Sequence, residues 1–199
     1  MSLFVIGDTH LSLSTDKPMD IFGGWKNYMQ RLEENWRSVV QPQDTVIIPG
    51  DVSWGMSLEQ AKEDFLFLHR LPGKKILMKG NHDYWWTTRA KMESFLEGNG
   101  LDSLSILHNN AVSVEGLSLC GSRGWMFEQG QEHDKKIINR EAGRIRASLQ
   151  DAQRFGEQEK VLFLHYPPVF MQDSIPEFFE VMNQYGVRRC YYGHIHSQG

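Results

Sequence analysis

Two cysteines in 199 residues, Cys120 and Cys190, are too few for a disulfide scaffold and form no CxxC pair. Each sits in or beside an apolar strand-like segment, so both read as buried free thiols in a reducing compartment. No apolar run approaches the roughly 20 residues that a bilayer-crossing helix needs, which argues against a membrane span. The opening MSLFVIG lacks a basic leader and runs straight into Asp8, so secretion is not expected and a cytoplasmic setting is. Positive charge is also short: 21 Lys and Arg face 25 Asp and Glu, for a formal net charge of -4. The basic residues are scattered along helical segments, so there is no strong nucleic-acid signal. Internal repeats, low-complexity tracts and Pro/Gly/Ser-rich linkers are missing too. A single domain over residues 1–199 is therefore expected.

What is present is a globular composition, 40% hydrophobic and 23% charged, with a regular rhythm. Short β-rich runs at Leu3–Ile6, Thr45–Ile48 and Lys75–Met78 alternate with helical patterns at Asn27–Val40 and from Ser57 to about Leu71, the latter opened by the capping-box sequence SLEQ. A further helix is predicted over Thr88–Leu96. The pattern then changes: Ala111–Val114 and Leu117–Leu119 flank Glu115-Gly116 as a hairpin, suggesting a second, more antiparallel sheet. Predicted elements continue as a polar helix over Glu132–Arg154, a strand at Val161–Leu164, a helix around Ile175–Tyr185 and a strand at Arg189–Tyr192.

Five short motifs follow predicted strands: GDTH at Gly7–His10, GDVSW at Gly50–Trp54, GNHD at Gly80–Asp83, LHY around His165, and GHIH at Gly193–His196. In α/β sheets, ligands gather beyond the carboxyl ends of strands, so these distant motifs can converge. They deliver Asp8, His10, Asp51, Asn81, His165, His194 and His196, side chains suited to hard and borderline divalent cations. Seven donors suffice for two ions if one carboxylate is shared. Asp51, with no histidine neighbour in its own motif, is the best candidate for the bridge. Two metals about 3.5–4 Å apart can hold a bridging hydroxide and clamp phosphate oxygens, which points to a two-metal hydrolase.

This ordered set resembles the calcineurin-like metallophosphoesterase family over essentially the whole chain. The resemblance implies an α/β fold, a four-layer αββα sandwich of two packed mixed β-sheets flanked by helices. It assigns Asp8, His10, Asp51 and His196 to one metal, and Asp51, Asn81, His165 and His194 to the other. His82 becomes the catalytic histidine that contacts phosphate and assists leaving-group departure, with Asp83 orienting or supporting it. The cofactors implied are two divalent ions per chain, and mixed N/O ligation suits manganese, iron, zinc or cobalt. The implied reaction is hydrolysis of a phosphate ester or anhydride; the short loops give little sign of a protein-docking or nucleic-acid module, which favours a phosphorylated small molecule or nucleotide as substrate.

The motif usual in the family is GDxxD, whereas Trp54 stands at its last position here. Trp54, Tyr84, Trp85 and Trp86 lie beside site motifs and would stack on a planar substrate group if exposed, or wall the site if buried. Arg123 either reaches a phosphate oxygen or plays a structural role. Trp125 and Phe127 would line an apolar end of the groove or pack in the core. His133, Lys135, Lys136, Arg140, Arg144 and Arg146 read as a solvated helix face, and His69 and His108 as non-catalytic. The sequence ends three residues after His196, so the second sheet is expected to be short of the further strands usual in the family. A metal-binding interaction or scaffold protein with impaired catalysis is the alternative reading.

Overall fold

The computed structural model describes residues 1–126, 132–170 and 173–196, the side chains of 132–134 excepted. Phe127 and the His133 side chain thus lie outside the described residues. Strands β1 (Leu3–Val5), β2 (Thr45–Ile48), β3 (Lys74–Leu77) and β4 (Leu104–Ile106) pair in chain order as one wholly parallel sheet. Parallel neighbours need a crossover, and helices α1 (Tyr28–Val39), α2 (Leu58–Arg70) and α3 (Arg89–Gly98) supply it. The second sheet runs β10 (Arg189–Tyr192), β7 (Glu159–Leu164), β6 (Leu117–Ser122), β5 (Ala111–Val114). Within it only the β5–β6 hairpin is antiparallel, turning at Glu115 and Gly116 with φ of 52° and 74°. Two successive positive φ values match the right-handed twist of a tight hairpin, and glycine takes the second without steric cost.

Three apolar layers hold these parts together, because successive residues of a strand face opposite sides. Val46 and Ile48 of β2 point toward α1–α3 and join Trp36, Phe65 and Met92. Ile47, between them, points the other way and packs with Ile76, Leu119, Val161 and Phe163 between the sheets. Leu162 and Leu164 of β7 then face α4 (Glu132–Asp151) and α5 (Pro176–Gln184) through Ile145, Leu149 and Phe178. This is the expected αββα sandwich. All of β2 is buried, as befits a strand covered on both faces.

Local chemistry sets the element ends. Ser57 Oγ accepts the Gln60 N–H at 3.3 Å while Gln60 Oε1 accepts that of Met56 at 2.8 Å, a reciprocal cap at the start of α2. The predicted helix to Arg154 stops at Asp151 and tightens into a 3-10 turn at Ala152–Phe155. The sequence pattern missed β4 and the small ribbon of β8 (Val169–Phe170) and β9 (Asp173–Ser174). Among the described residues no helix is long and apolar enough to cross a membrane. Cys120 and Cys190 are both free, Cys120 in the core and Cys190 partly covered.

Candidate metal centre

The loops leaving β1 and β2 run side by side, with Asp8 N donating to Gly50 O at 3.2 Å, His10 N to Asp51 O at 2.9 Å and Leu11 N to Val52 O at 3.0 Å. Within them Asp8, His10 and Asp51 hold φ of 57°, 44° and 50°, and His194, in the loop after β10, holds 71°. Positive φ is uncommon for residues with a Cβ, and its concentration at four proposed ligands is strain stored at one place. Glycines let the loops approach: a Cβ on Gly50 would sit 2.6 Å from His165 Nδ1, and one on Gly193 2.7 Å from an Asp8 carboxylate oxygen. A Cβ on Gly80 would overlap Asp51 outright.

Six of the seven predicted ligands fall into two groups whose donor atoms lie within 4.8 Å of one another: Asp8, His10, Asp51 and His196, and Asp51, His165 and His194. Asp51 belongs to both. The seventh, Asn81, meets the second group through its Oδ1, 2.6 Å from His165 Nε2.

The proton inventory shows what these groups are built to hold. His165 Nδ1 lies 3.0 Å from the Pro49 carbonyl, which can only accept, so the ring's proton is on Nδ1. Burial lowers the His165 pKa to about 3, leaving the ring neutral and Nε2 a bare lone pair. That lone pair faces the Asn81 oxygen and lies 3.6 Å from Asp51 Oδ1. In the first group His10 Nε2 and His196 Nε2 are 3.2 Å apart, His10 Nε2 is 3.7 Å from Asp51 Oδ2, and His196 Nε2 is 3.4 Å from Asp8 Oδ1. His10 is also neutral, its pKa lowered to about 3 by burial and then by His196. Asp51 Oδ2 is buried without a hydrogen-bond partner among the described residues. Converging nitrogen and oxygen donors, around an Asp51 oxygen without a hydrogen-bond partner among the described residues, fit a divalent cation. Without one, burial followed by repulsion from Asp83 pushes Asp51 up to about 7, and burial raises Asp8.

Asp83 is fully buried and ties the loops together. Its Oδ1 accepts from Val52 N at 2.9 Å, Ser53 N at 3.2 Å and Trp85 Nε1 at 2.9 Å, and its Oδ2 from Gly80 N at 2.7 Å. None of these bonds goes to the His82 ring. His82 is held instead through its backbone N–H, which donates to Asp51 Oδ1 at 2.8 Å. Its Nδ1 is buried and unpartnered among the described residues, and burial followed by His196 lowers its pKa.

Of the aromatic candidates, Trp54 stacks on His10 at 5.2 Å and 25° and lies 4.4 Å from the His82 ring. Tyr84 is 53% exposed, whereas Trp85 is 2% exposed and packs on Phe65 at 4.8 Å, so its ring faces the core. Trp86 lies between Trp85 and His108. Arg123 follows β6 beside the site; its carbonyl accepts from His165 N, and its guanidinium lies 5.4 Å from the Trp125 ring centre and 5.8 Å from that of Tyr166. Tyr166 in turn meets His194 edge-on at 4.5 Å. His69 bonds Ser103, away from the site. Lys135, Lys136, Arg140 and Arg146 are exposed on α4, as expected for a solvated face.

Two residues beside the site carried no sequence signal. Trp25, in the loop before α1, lies parallel to His196 at 5.7 Å and edge-on to His10 at 5.8 Å. Asp64, on α2, accepts from Leu13 N at 2.8 Å and from Ser53 Oγ, bracing the loop after β2 with a carboxylate that its own motif lacks at Trp54.

The family profile described as calcineurin-like phosphoesterase matches residues 1–198. No curated protein matches the chain. Among solved structures, the phosphopantetheinyl hydrolase of Mycobacterium tuberculosis superposes with a TM-score of 0.57 at 16% identity, over 98% of this chain and 82% of that one. A protein of unknown function from Aquifex aeolicus superposes with a TM-score of 0.49 at 16% identity, over 96% of this chain and 89% of that one.

Proposed function

The chain belongs to the calcineurin-like phosphoesterase family, and from that premise we propose that it hydrolyses a phosphate ester or anhydride of a small molecule or nucleotide. Asp8, His10, Asp51 and His196 would hold one divalent ion and Asp51, Asn81, His165 and His194 a second, with manganese, iron, zinc or cobalt suited to the mixed donors. Bound there, the pair would supply a nucleophilic hydroxide near neutral pH and positive charge for phosphate oxygens.

The chain's own residues do the rest. The Pro49 carbonyl fixes the proton of His165 on Nδ1 and so presents Nε2 as a donor of fixed direction. His82 contacts the phosphate and hands a proton to the departing oxygen; an arriving phosphate dianion favours the charged imidazolium that this needs. Asp83 is a positioning residue that holds the Gly80–Asp83 loop against the Val52–Ser53 backbone. Arg123, Tyr84 and Trp54 are the substrate-facing candidates, Arg123 for a phosphate oxygen. Two unpaired cysteines agree with a reducing, cytoplasmic setting.

The observation that carries this reading is the sharing of Asp51 between two donor groups next to His82. His82 also lines an open cavity rather than facing the core, which favours an enzyme over a metal-binding scaffold. The test is turnover of matched phosphomonoester and phosphodiester reporters by chelated protein reconstituted separately with manganese, iron, zinc and cobalt. Metal-dependent hydrolysis lost in His82→Ala supports the assignment. Absence of turnover in protein loaded with two metals moves it to the scaffold reading.

A further inference from the structure

Beside the rings of His10, His82 and His196 lies a cavity of about 450 Å³ walled by Trp25, Trp54, Phe22 and Met19. Its size is that of small-molecule sites, about 300–1,000 Å³. The loop before α1 brings in one wall: Trp25 N donates to Phe22 O at 3.2 Å, and Trp25 O accepts from Tyr28 N at 3.0 Å where α1 begins. Tyr28 Oη closes the fold of this loop by donating to the His10 carbonyl at 2.8 Å. The loop after β2 brings in the other wall, Trp54. Both indoles also touch His10, so the cavity and the metal centre share side chains.

Resting on the hydrolase reading above, we propose that this cavity seats the leaving group of the substrate and that the leaving group carries an uncharged planar ring, such as a nucleoside base. Position supports it: a group leaving the phosphate on the His82 side departs into the space that His82 lines. The walls supply three aromatic rings and a thioether, surfaces that bind flat rings well. Charge selects against the other ligand that aromatic cages take, a quaternary ammonium. No carboxylate is among the lining residues described, and Lys17 Nζ already lies 5.8 Å from the Trp54 ring centre, where it repels a cation. Phe22 is 54% exposed, apolar surface that a bound ring would cover.

The test compares kcat/KM of the metal-reconstituted protein for adenosine 5′-monophosphate and for ribose 5-phosphate, which differ by the base. The proposal expects the base-bearing ester to be favoured by about tenfold or more, the range of a base stacked on an aromatic side chain. Trp25→Ala should collapse that ratio and Trp25→Phe should restore part of it. Equal values in the unaltered protein, or a ratio that survives Trp25→Ala, overturns the cavity assignment. If neither ester turns over, calorimetry with adenosine decides separately. Binding that Trp25→Ala abolishes keeps the ring subsite while the hydrolase reading fails for these esters, and no binding overturns the subsite itself.

Discussion

The Nε2 atoms of His10 and His196, 186 positions apart in sequence, face each other at 3.2 Å. Around them stand Asp51 Oδ2 at 3.7 Å from the first and Asp8 Oδ1 at 3.4 Å from the second. Burial keeps His10 neutral, so it brings no positive charge to the two carboxylates. The arrangement is costly for the protein alone and favourable with a cation at its centre. The strained backbone at Asp8, His10 and Asp51 lies in the same loops that carry these donors.

Asp51→Asn should weaken both metal sites together, by about tenfold or more in affinity, because one oxygen of the carboxylate serves each group. Metal content after dialysis against graded chelator measures this. Retention of two tightly held ions by the variant would rule out the shared role.

His82→Ala should keep its metals yet lose about 10²–10⁴ in kcat, the range for removal of a general acid. Elemental analysis beside steady-state kinetics separates the two effects. Metal loss in step with rate would show that His82 acts by supporting the ligands.

Asp83→Ala removes the acceptor for three backbone N–H groups and the Trp85 indole, all buried. Donors left without partners make this expensive, more than about 3 kcal/mol of stability. Denaturant unfolding of metal-free protein should show it as a lowered midpoint. A midpoint unchanged from the unaltered protein would mean that the loops hold together without Asp83.

Burial pushes both Cys120 and Cys190 up to about 12, far above ordinary thiols. Burial disfavours the thiolate, so at pH 8 the reactive form is scarce and becomes common only toward pH 12. Native protein at pH 8 should therefore resist alkylation at both positions for hours, whereas denatured protein takes up two labels within minutes. Rapid labelling of native Cys190 would show that the β10 edge opens.

The convergence of the donor motifs was legible because each follows a strand, and four of the five carry a glycine, three of which, Gly50, Gly80 and Gly193, stand where a Cβ would clash with a neighbouring donor or loop; the His165 motif has none. The four layers came from the family resemblance, and β2 accords with them: Val46 and Ile48 face one apolar layer and Ile47 another. The loop holding Lys17 and Trp25 gave no signal, because its contacts with the site depend on the path of an aperiodic segment. Asp64 stands in no motif, yet it is buried in α2 and bonded to Ser53 and Leu13. The family resemblance gave Asp83 the role of orienting or supporting His82. The four bonds of Asp83 reach back to Gly80, across to Val52 and Ser53, and forward to the Trp85 indole, and nothing in a linear motif encodes those directions.

The account's central claim is that two ions sharing Asp51 are needed together for hydrolysis. Its most direct test is turnover followed while manganese is added stepwise to chelated protein, with bound metal counted in the same samples. The account predicts that rate stays near zero through the first equivalent per chain and rises as the second binds. Full rate at one equivalent, or none at two with a phosphoester that the unchelated protein hydrolyses, would contradict it.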